Sequence, residues 1–321
     1  MKQQVMSCED RCVIGLDVGG TKVAGGVVSF PDGTIYQRQT IPTFPERGGA
    51  AVIDDVFELA ASLSKQARIE GRQVHGIGLG VCELVDLGGN VTSRQTLDWP
   101  GLPIQERFRS IAPTLVESDV RAAALAEALF GRGKPFSLFA YVTVGTGISH
   151  TLVHRGRAFR GARGNAIILA SGALTMHCPA CGVRSDFVLE EFASGQALVA
   201  RFNKQSTRPV IRGNEIFEAA DQGDLLAINI LATGGDALGN MVGFLVNILD
   251  PEAIVIGGGL GMAGGIYWQN LEASARRHIW YEGARDLPIL PAALGVDAGL
   301  IGAAAAMWQR LNDSEGQIGE N

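Results

Sequence analysis

The sequence predicts a two-domain α/β protein built from an internally duplicated, ribonuclease H-like unit. Three observations carry this expectation. Residues 12–28, CVIGLDVGGTKVAGGVV, read as a strand, a tight glycine turn and a returning strand. The residues that follow supply another strand, a helix and a strand, the element order of a ribonuclease H-like unit. The same layout then returns at residues 139–153, where an apolar run meets Gly145-Thr146-Gly147 and the chain turns apolar again.

In order along the chain, residues 1–11 are expected to be a disordered tail. After the first hairpin, Pro31-Asp32-Gly33 signals a turn and residues 34–40 a third strand. Residues 42–49 form a loop, and residues 50–70 carry Val52, Val56, Leu59 and Leu63 at helical spacing. A buried strand in HGIGLGVCELVDLGG runs into a loop around residues 82–86, and Trp99-Pro100-Gly101 closes another. Leu115-Val116 is a short strand ending at Glu117-Ser118-Asp119, and the alanine-rich helix that follows stops at Gly131, so Ser118 or Asp119 would be its N-cap. GRGKP at residues 131–135 reads as a hinge. The expected domains are a smaller one, residues 1–130, and a larger one, residues 131–297, with a closing helix at about 298–312 packing back on the first. Within the larger domain, residues 156–164 form a basic, glycine-broken loop. Residues 188–203 and 214–249 are helical by pattern, 252–256 a strand, the chain from about 264 a helix and 288–291 a strand.

Composition bounds the function. The chain has 321 residues, 46% of them hydrophobic and 19% charged, which describes a globular protein with ample core. Its 43 glycines cluster at turns without a repeat, so collagen-like and low-complexity readings fail. A net charge of −6 argues against a nucleic-acid surface. No signal peptide and no membrane span is expected. Five cysteines, an odd number, point to a reducing, cytoplasmic compartment.

The first hairpin has a definite chemistry. Dinucleotide folds and P-loops place their glycines ahead of a helix, and nothing after Thr21 has helical periodicity. Gly19 and Gly20 leave backbone N–H groups and the Thr21 hydroxyl open to an anion, with no Cβ in the way. Asp17 would sit beside that anion and could hold a hydrated Mg²⁺. A Gly-Gly hairpin is also, quite often, only a turn. Lys22 alternates outward and reads as solvated.

Four ordered blocks decide between these readings: DVGGTK at 17–22, VESDVRAAALAE at 116–127, VTVGTGI at 142–148 and NILDPEAIVIGGGLGMAGG at 247–265, with AGLIGAAAAM at 298–307 as a fifth. Together they resemble the ROK proteins, a family of repressors, open reading frames and sugar kinases that includes bacterial glucokinases. The resemblance implies the duplicated actin/hexokinase-type fold, two domains around a nucleotide cleft. It implies ATP with Mg²⁺, the phosphates held by Gly19, Gly20 and Thr21 and by Gly145, Thr146 and Gly147. Adenosine would rest against Gly257, Gly258 and Gly259. Asp119 would be the general base that accepts a sugar hydroxyl proton, its plainer alternative being a helix cap. Asp86 would line the sugar site or cap its own turn, and a homodimer is implied.

The sugar side departs from the family pattern. The family's Glu-x-Gly-His becomes Asn165-Ala166-Ile167-Ile168, so Asn165 stands for the glutamate and Ile168 for the histidine. Ile in place of His removes donor and acceptor together. Ser118 replaces the asparagine before the catalytic aspartate, Arg121 the one two residues beyond it, and Thr96 an asparagine of the loop before Trp99. Glu190 matches a family glutamate that contacts sugar, or it is a solvated helix residue. The family's zinc motif has three cysteines, whereas here His177, Cys178 and Cys181 are left, with Asp186 a poor fourth ligand, so this is either a zinc site or a relic loop.

The resulting expectation is an ATP-dependent kinase of a sugar or sugar-like substrate: a hexose, an amino sugar or a cyclitol. The alternative is a catalytically weak sugar-sensing protein. With about a dozen residues before the first strand there is no room for the family's helix-turn-helix domain, so nucleic acid is not an expected partner.

Overall fold

The computed structural model describes residues 11–318, which form two compact units. Arg11 opens the first strand, and the rest of the expected N-terminal tail lies outside the described residues. The first unit comprises residues 11–130, 160–166 and 297–318, and the second residues 131–159 and 167–296. Residues 160–166, expected inside the second domain, thus group with the first.

The first unit contains β1 (Arg11–Val18), β2 (Lys22–Phe30), β3 (Ile35–Pro42), α1 (Gly49–Ile69), β4 (Val74–Val81), α2 (Ile104–Phe108), β5 (Thr114–Ser118) and α3 (Asp119–Phe130). Its sheet order is β3-β2-β1-β4-β5, with β1–β2 and β2–β3 antiparallel and β1–β4 and β4–β5 parallel. The central strands read as apolar runs because both of their faces are covered. Val52, Val56, Leu59 and Leu63 of α1 are buried against one face, which accounts for their helical spacing.

The second unit contains β6 (Leu138–Val144), β7 (Ile148–His154), β8 (Arg157–Ala158), β9 (Leu174–His177), β10 (Arg184–Phe187), α4 (Glu190–Ala193), α5 (Gly195–Asn203), α6 (Gly213–Asp221), α7 (Leu225–Leu249), β11 (Ala253–Gly257), α8 (Gly265–His278) and β12 (Ile289–Pro291). Its sheet order, β12-β11-β6-β7-β8, repeats the first: an antiparallel hairpin and a third strand on one side of β6, two parallel strands on the other. The duplication inferred from two Gly-Thr hairpins is therefore a duplication of sheet topology. β9 and β10 form a separate two-stranded hairpin that the sequence pattern did not reveal.

Two expected helices are each broken. Residues 188–203 divide at Ser194, whose hydroxyl caps α5 by accepting the Ala197 N–H. Residues 214–249 divide at Gly223, after which Asp224 caps α7 by accepting from Leu226 and Ala227. At 25 residues and interrupted by a single charge, Asp236, α7 is long and apolar enough to cross a membrane by length and composition alone. Half of that apolar window is buried within the protein: Gly235, Gly239 and Gly243 let α7 approach the backbone of α8 so closely that a Cβ would strike the carbonyls of Tyr267, Leu271 and Ala275. It is the core helix of its unit.

The closing helix α9 (Ala298–Ile318) packs on β1, β4 and α3 of the first unit. The contact depends on missing side chains: a Cβ at Gly15 would meet the Leu300 carbonyl, one at Gly78 the Ala303 carbonyl, and one at Gly302 the Ala122 carbonyl. This packing sets the start of α3, and with it Asp119.

Candidate active site

In the first unit the β1–β2 turn is closed by Gly19 N–H donating to the Lys22 carbonyl at 3.1 Å. Buried Thr43 braces it from β3's end, its hydroxyl donating to the Gly19 carbonyl at 2.6 Å and its N–H to the Thr21 carbonyl at 3.1 Å. Asp17, half-buried near the end of β1, lies against Gly299, where a Cβ would come within 2.5 Å of its carboxylate. Burial pushes the Asp17 carboxyl up to about 6, against the pull of exposed Lys22.

Asp119 is the first residue of α3, and its Oδ1 accepts the Val120 N–H at 2.6 Å. Its carboxyl is pushed up to about 7, first by burial and then by the negative charge of Asp17. Two carboxylates from different elements thus share one electrostatic environment. A group poised near neutrality is what a general base needs.

The loop after β4 is organised by Glu83, which the sequence did not single out. Its buried carboxylate accepts from the Ser93 hydroxyl and from the backbone N–H groups of Gln95 (3.0 Å), Thr96 (2.5 Å) and Leu97 (2.7 Å). This brings Thr96 over Gly20, where a Cβ would come within 2.5 Å of the threonine methyl. The Cys82 thiol, hydrogen-bonded to Thr96, is pushed up to about 12 by burial and then by the charges of Asp119 and Glu83, so it is a neutral wall of the site. Asp86 caps its own turn: it accepts from the backbone N–H groups of Gly88 (2.9 Å) and Asn90 (2.8 Å) and from the Asn90 side chain, which holds its carboxyl below the usual range.

Buried Arg121 ties three segments of this unit together. Its Nε donates to Glu117 at 2.5 Å, one terminal nitrogen to the Gly164 carbonyl and the other to the Val85 carbonyl at 2.9 Å. Arg160 donates to the other oxygen of Glu117. These bonds hold residues 160–166 to the first unit, with Asn165 exposed beside Gly164 and Ser118 buried beside Asp119. Ile168 lies in the other unit and is exposed, and Ile167 adopts φ +62°, a backbone conformation that β-branched residues rarely tolerate.

In the second unit, the β6–β7 turn is closed by Gly145 N–H donating to the Gly147 carbonyl at 2.9 Å. Two elements brace it: Gly195 N–H donates to the Gly145 carbonyl at 2.8 Å, and the Glu190 carboxylate accepts the Ile148 N–H at 2.7 Å. A Cβ at Gly147 would come within 2.5 Å of Glu190. Glu190 is therefore engaged by the turn rather than solvated on α4. Thr146 is left at the tip between the two glycines. The turn at Gly257, Gly258 and Gly259 is stitched to the end of β6: Leu260 and Gly261 N–H groups donate to the Val144 carbonyl at 3.0 and 3.1 Å, and Gly258 takes φ +81° with no room for a Cβ beside Val144. The two glycine turns of this unit are thus neighbours.

The zinc expectation does not fit the donor set. Asp186 accepts from the Thr175 hydroxyl at 2.6 Å and from Arg184, and His177 pairs across the hairpin with Arg184. Among the described residues no three His, Cys, Asp or Glu side chains are placed to hold a metal ion, whereas a closed zinc site needs about four ligands. Cys178 and Cys181 remain together and exposed, and the N–H groups and thiol that Cys178 faces hold its own thiol below the ordinary range.

The model of the ROK family matches residues 13–310 of this chain, a span that holds both Gly-Thr turns and the aspartate at the head of α3. The chain belongs to the ROK family. It is 31% identical to a glucokinase of Streptomyces coelicolor, over 91% of this chain and 96% of that one. It is 30% identical to an N-acetylmannosamine kinase of Yersinia pseudotuberculosis, over 93% of this chain and 98% of that one. Its fold is similar to the crystal structure of a ROK glucokinase from Streptomyces griseus in complex with glucose and AMPPNP, with a TM-score of 0.78, 29% identity, and coverage of 92% of this chain and 98% of that one. This ROK protein has the actin/hexokinase-like fold.

Proposed function

We propose that this ROK protein is an ATP-dependent carbohydrate kinase in which Asp119 accepts the proton of the attacking sugar hydroxyl. The observation that carries this reading is the Asp119 carboxyl at the head of α3, held near neutrality by burial and by Asp17. Its similarity to kinases named for glucose and for N-acetylmannosamine supports the reaction class.

Each side chain then has a task. The turns at Gly19–Thr21 and Gly145–Gly147 present backbone N–H groups and threonine hydroxyls to the phosphates, and Gly257–Gly259 takes the adenosine. Asp17 fits a hydrated Mg²⁺ because its carboxylate is half-buried and faces Gly299 with no side chain between. A bound Mg²⁺ would supply neutralising charge to the transferring phosphoryl group. Thr43, Gly195 and Glu190 hold the two turns in shape, so the donors need not reorganise during transfer. Ser118 and Asn165 flank Asp119 and contact the acceptor, with Thr96 closing the same side. Asp86 caps its turn and holds its loop, and this is the role assigned to it here. With an amide at position 165 and isoleucine at 168, the acceptor is met by fewer charged hydrogen-bond partners than an unaltered Glu-x-Gly-His would offer. That favours an amino sugar, a cyclitol or an uncommon hexose over glucose. Free ATP and sugar as substrates, together with exposed thiols, accord with a cytoplasmic protein.

The test is ADP release by the purified protein with MgATP across hexoses, N-acetylated and free amino sugars, and cyclitols. One acceptor should raise turnover well above the acceptor-free rate. Tight ATP binding with no acceptor-dependent turnover across the panel would favour a sensor over a kinase.

A further inference from the structure

The chain between β4 and α2 passes the first Gly-Thr turn with no helix or strand of its own over residues 92–99. One side chain, Glu83, takes the place of that missing structure. It is 4% exposed. Its Oε1 accepts the N–H groups of Thr96 (2.5 Å) and Leu97 (2.7 Å), and its Oε2 accepts the Gln95 N–H (3.0 Å) and the Ser93 hydroxyl. Four donors fill the capacity of a carboxylate, so Glu83 has no lone pair left for a ligand. Three consecutive backbone N–H groups make a concave anion site, and here the anion is a side chain of the same loop. The Ser93 hydroxyl in turn accepts the Leu84 N–H at 2.8 Å, which ties the start of the loop to its middle. Beyond it, Leu97 and Trp99 are buried in the core of the unit.

Thr96 is the residue this arrangement delivers. Its side chain is exposed, so burial does not hold it in place. Glu83 holds its N–H, the Cys82 thiol pairs with its hydroxyl, and its methyl group lies on Gly20. A Cβ at Gly20 would come within 2.5 Å of that methyl and would meet nothing else within 4 Å but the Thr96 Cβ. Thr43 bonds Gly19 and Thr21 and leaves Gly20, between them, to Thr96. We infer that Glu83 is a positioning residue for the nucleotide: it fixes Thr96 against Gly20 and so holds the first glycine turn in the shape that binds MgATP. This rests on the assignment of Gly19–Thr21 to the phosphates. A turn without that support would have to be ordered by the phosphates themselves, and the ordering would be lost from the affinity. Glu83 does this without touching substrate, since all of its acceptor capacity is spent on its own loop.

The test is the affinity of the full chain for AMPPNP with Mg²⁺, measured by calorimetric titration in the parent, Glu83→Gln, Thr96→Ser and the double variant. Each is titrated at a temperature where its own melting curve shows it fully folded, so a loss of stability alone does not move the result. Glu83→Gln should weaken binding about tenfold, the scale of one lost charge-assisted hydrogen bond. Thr96→Ser, which removes one methyl group and leaves Glu83 in place, should weaken it about threefold. The double variant should bind no more weakly than Glu83→Gln, because a released loop no longer sets that methyl on Gly20. Gly20→Ala should also weaken binding, and adding Thr96→Ser should recover most of the loss. Unchanged affinity in Glu83→Gln with only a lower melting temperature would overturn the inference, as would losses that multiply in the double variant. If Glu83→Gln does not fold, Thr96→Ser decides, and parental affinity there overturns it. A parent that binds the nucleotide but phosphorylates no acceptor would remove the kinase reading and leave this inference standing; a parent that binds no nucleotide would overturn both.

Discussion

Asp119 carries two opposed demands. As a base it must be ionised, yet burial and the nearby Asp17 charge favour the protonated form. Only its deprotonated form can accept a hydroxyl proton, so kcat/KM for the acceptor should rise with pH to a plateau, with a midpoint near 7. A flat profile from pH 5 to 9 would remove Asp119 from that role. The same conflict costs stability. The ordinary carboxyl value is 3.8 and the folded value about 7, so between these the folded protein holds a proton that the unfolded chain has released. Stability from this group is therefore lost as pH rises through 7. Asp119→Asn should raise the thermal midpoint at pH 8, by the equivalent of about 2 kcal/mol after allowance for partial solvation, while slowing turnover by about 10²- to 10⁴-fold. Calorimetry at pH 5 and pH 8 checks the sign, since the gain should shrink to less than half at the lower pH and vanish only below the ordinary carboxyl value. Asp119 was legible in the sequence because it stands at a strand-to-helix junction inside a recognisable block. Glu83 was not, because its partners lie 10 to 14 residues away in a loop without periodicity. Arg121 was legible as a substitution but not as the tie between Val85 and Gly164, since nothing in sequence links those carbonyls to α3.

At the level of elements, each glycine turn is a two-residue feature held by a distant clamp. Glu190 clamps the second turn through the Ile148 N–H. Glu190→Gln keeps the shape but removes the negative charge that accepts that N–H, and it should raise KM for ATP several-fold while changing KM for the acceptor less. The opposite split, measured by steady-state kinetics with each substrate varied, would make Glu190 a sugar contact. The closing helix is a second such element. Gly78→Ala would drive a methyl group into the Ala303 carbonyl, and the repacking should cost about 2–3 kcal/mol, read as a lower denaturant midpoint. Most long elements were visible from apolar periodicity. The β9–β10 hairpin was not, because its four-residue strands are largely exposed and carry no alternating core face. The breaks at Ser194 and Gly223 were missed because apolar spacing continues across them, although the caps at Ser194 and Asp224 were there to be read.

The whole molecule is one topology used twice, and each copy places its hairpin turn at the end of its central strand. That much followed from two Gly-Thr hairpins. What did not follow is the assignment of residues 160–166 to the first unit, which rests on Glu117 and Arg121 reaching across more than forty residues of chain. Global stability should also respond to His150. It is buried in β7 with Nε2 unpartnered, and burial pulls its ring from the ordinary 6.5 down to about 4. Between those values the unfolded chain takes up a proton that the folded one refuses, so stability falls on acidification from pH 6.5 to 4, by about 2 kcal/mol. His150→Phe should flatten that slope in urea titrations.

The most direct measurement is single-turnover phosphoryl transfer from MgATP to the acceptor identified by the panel, in the parent protein and in Asp119→Asn, with ATP affinity determined for both. The account predicts unchanged ATP binding and a transfer rate lower by about 10²- to 10⁴-fold in the variant. Transfer at the parental rate by Asp119→Asn would contradict it.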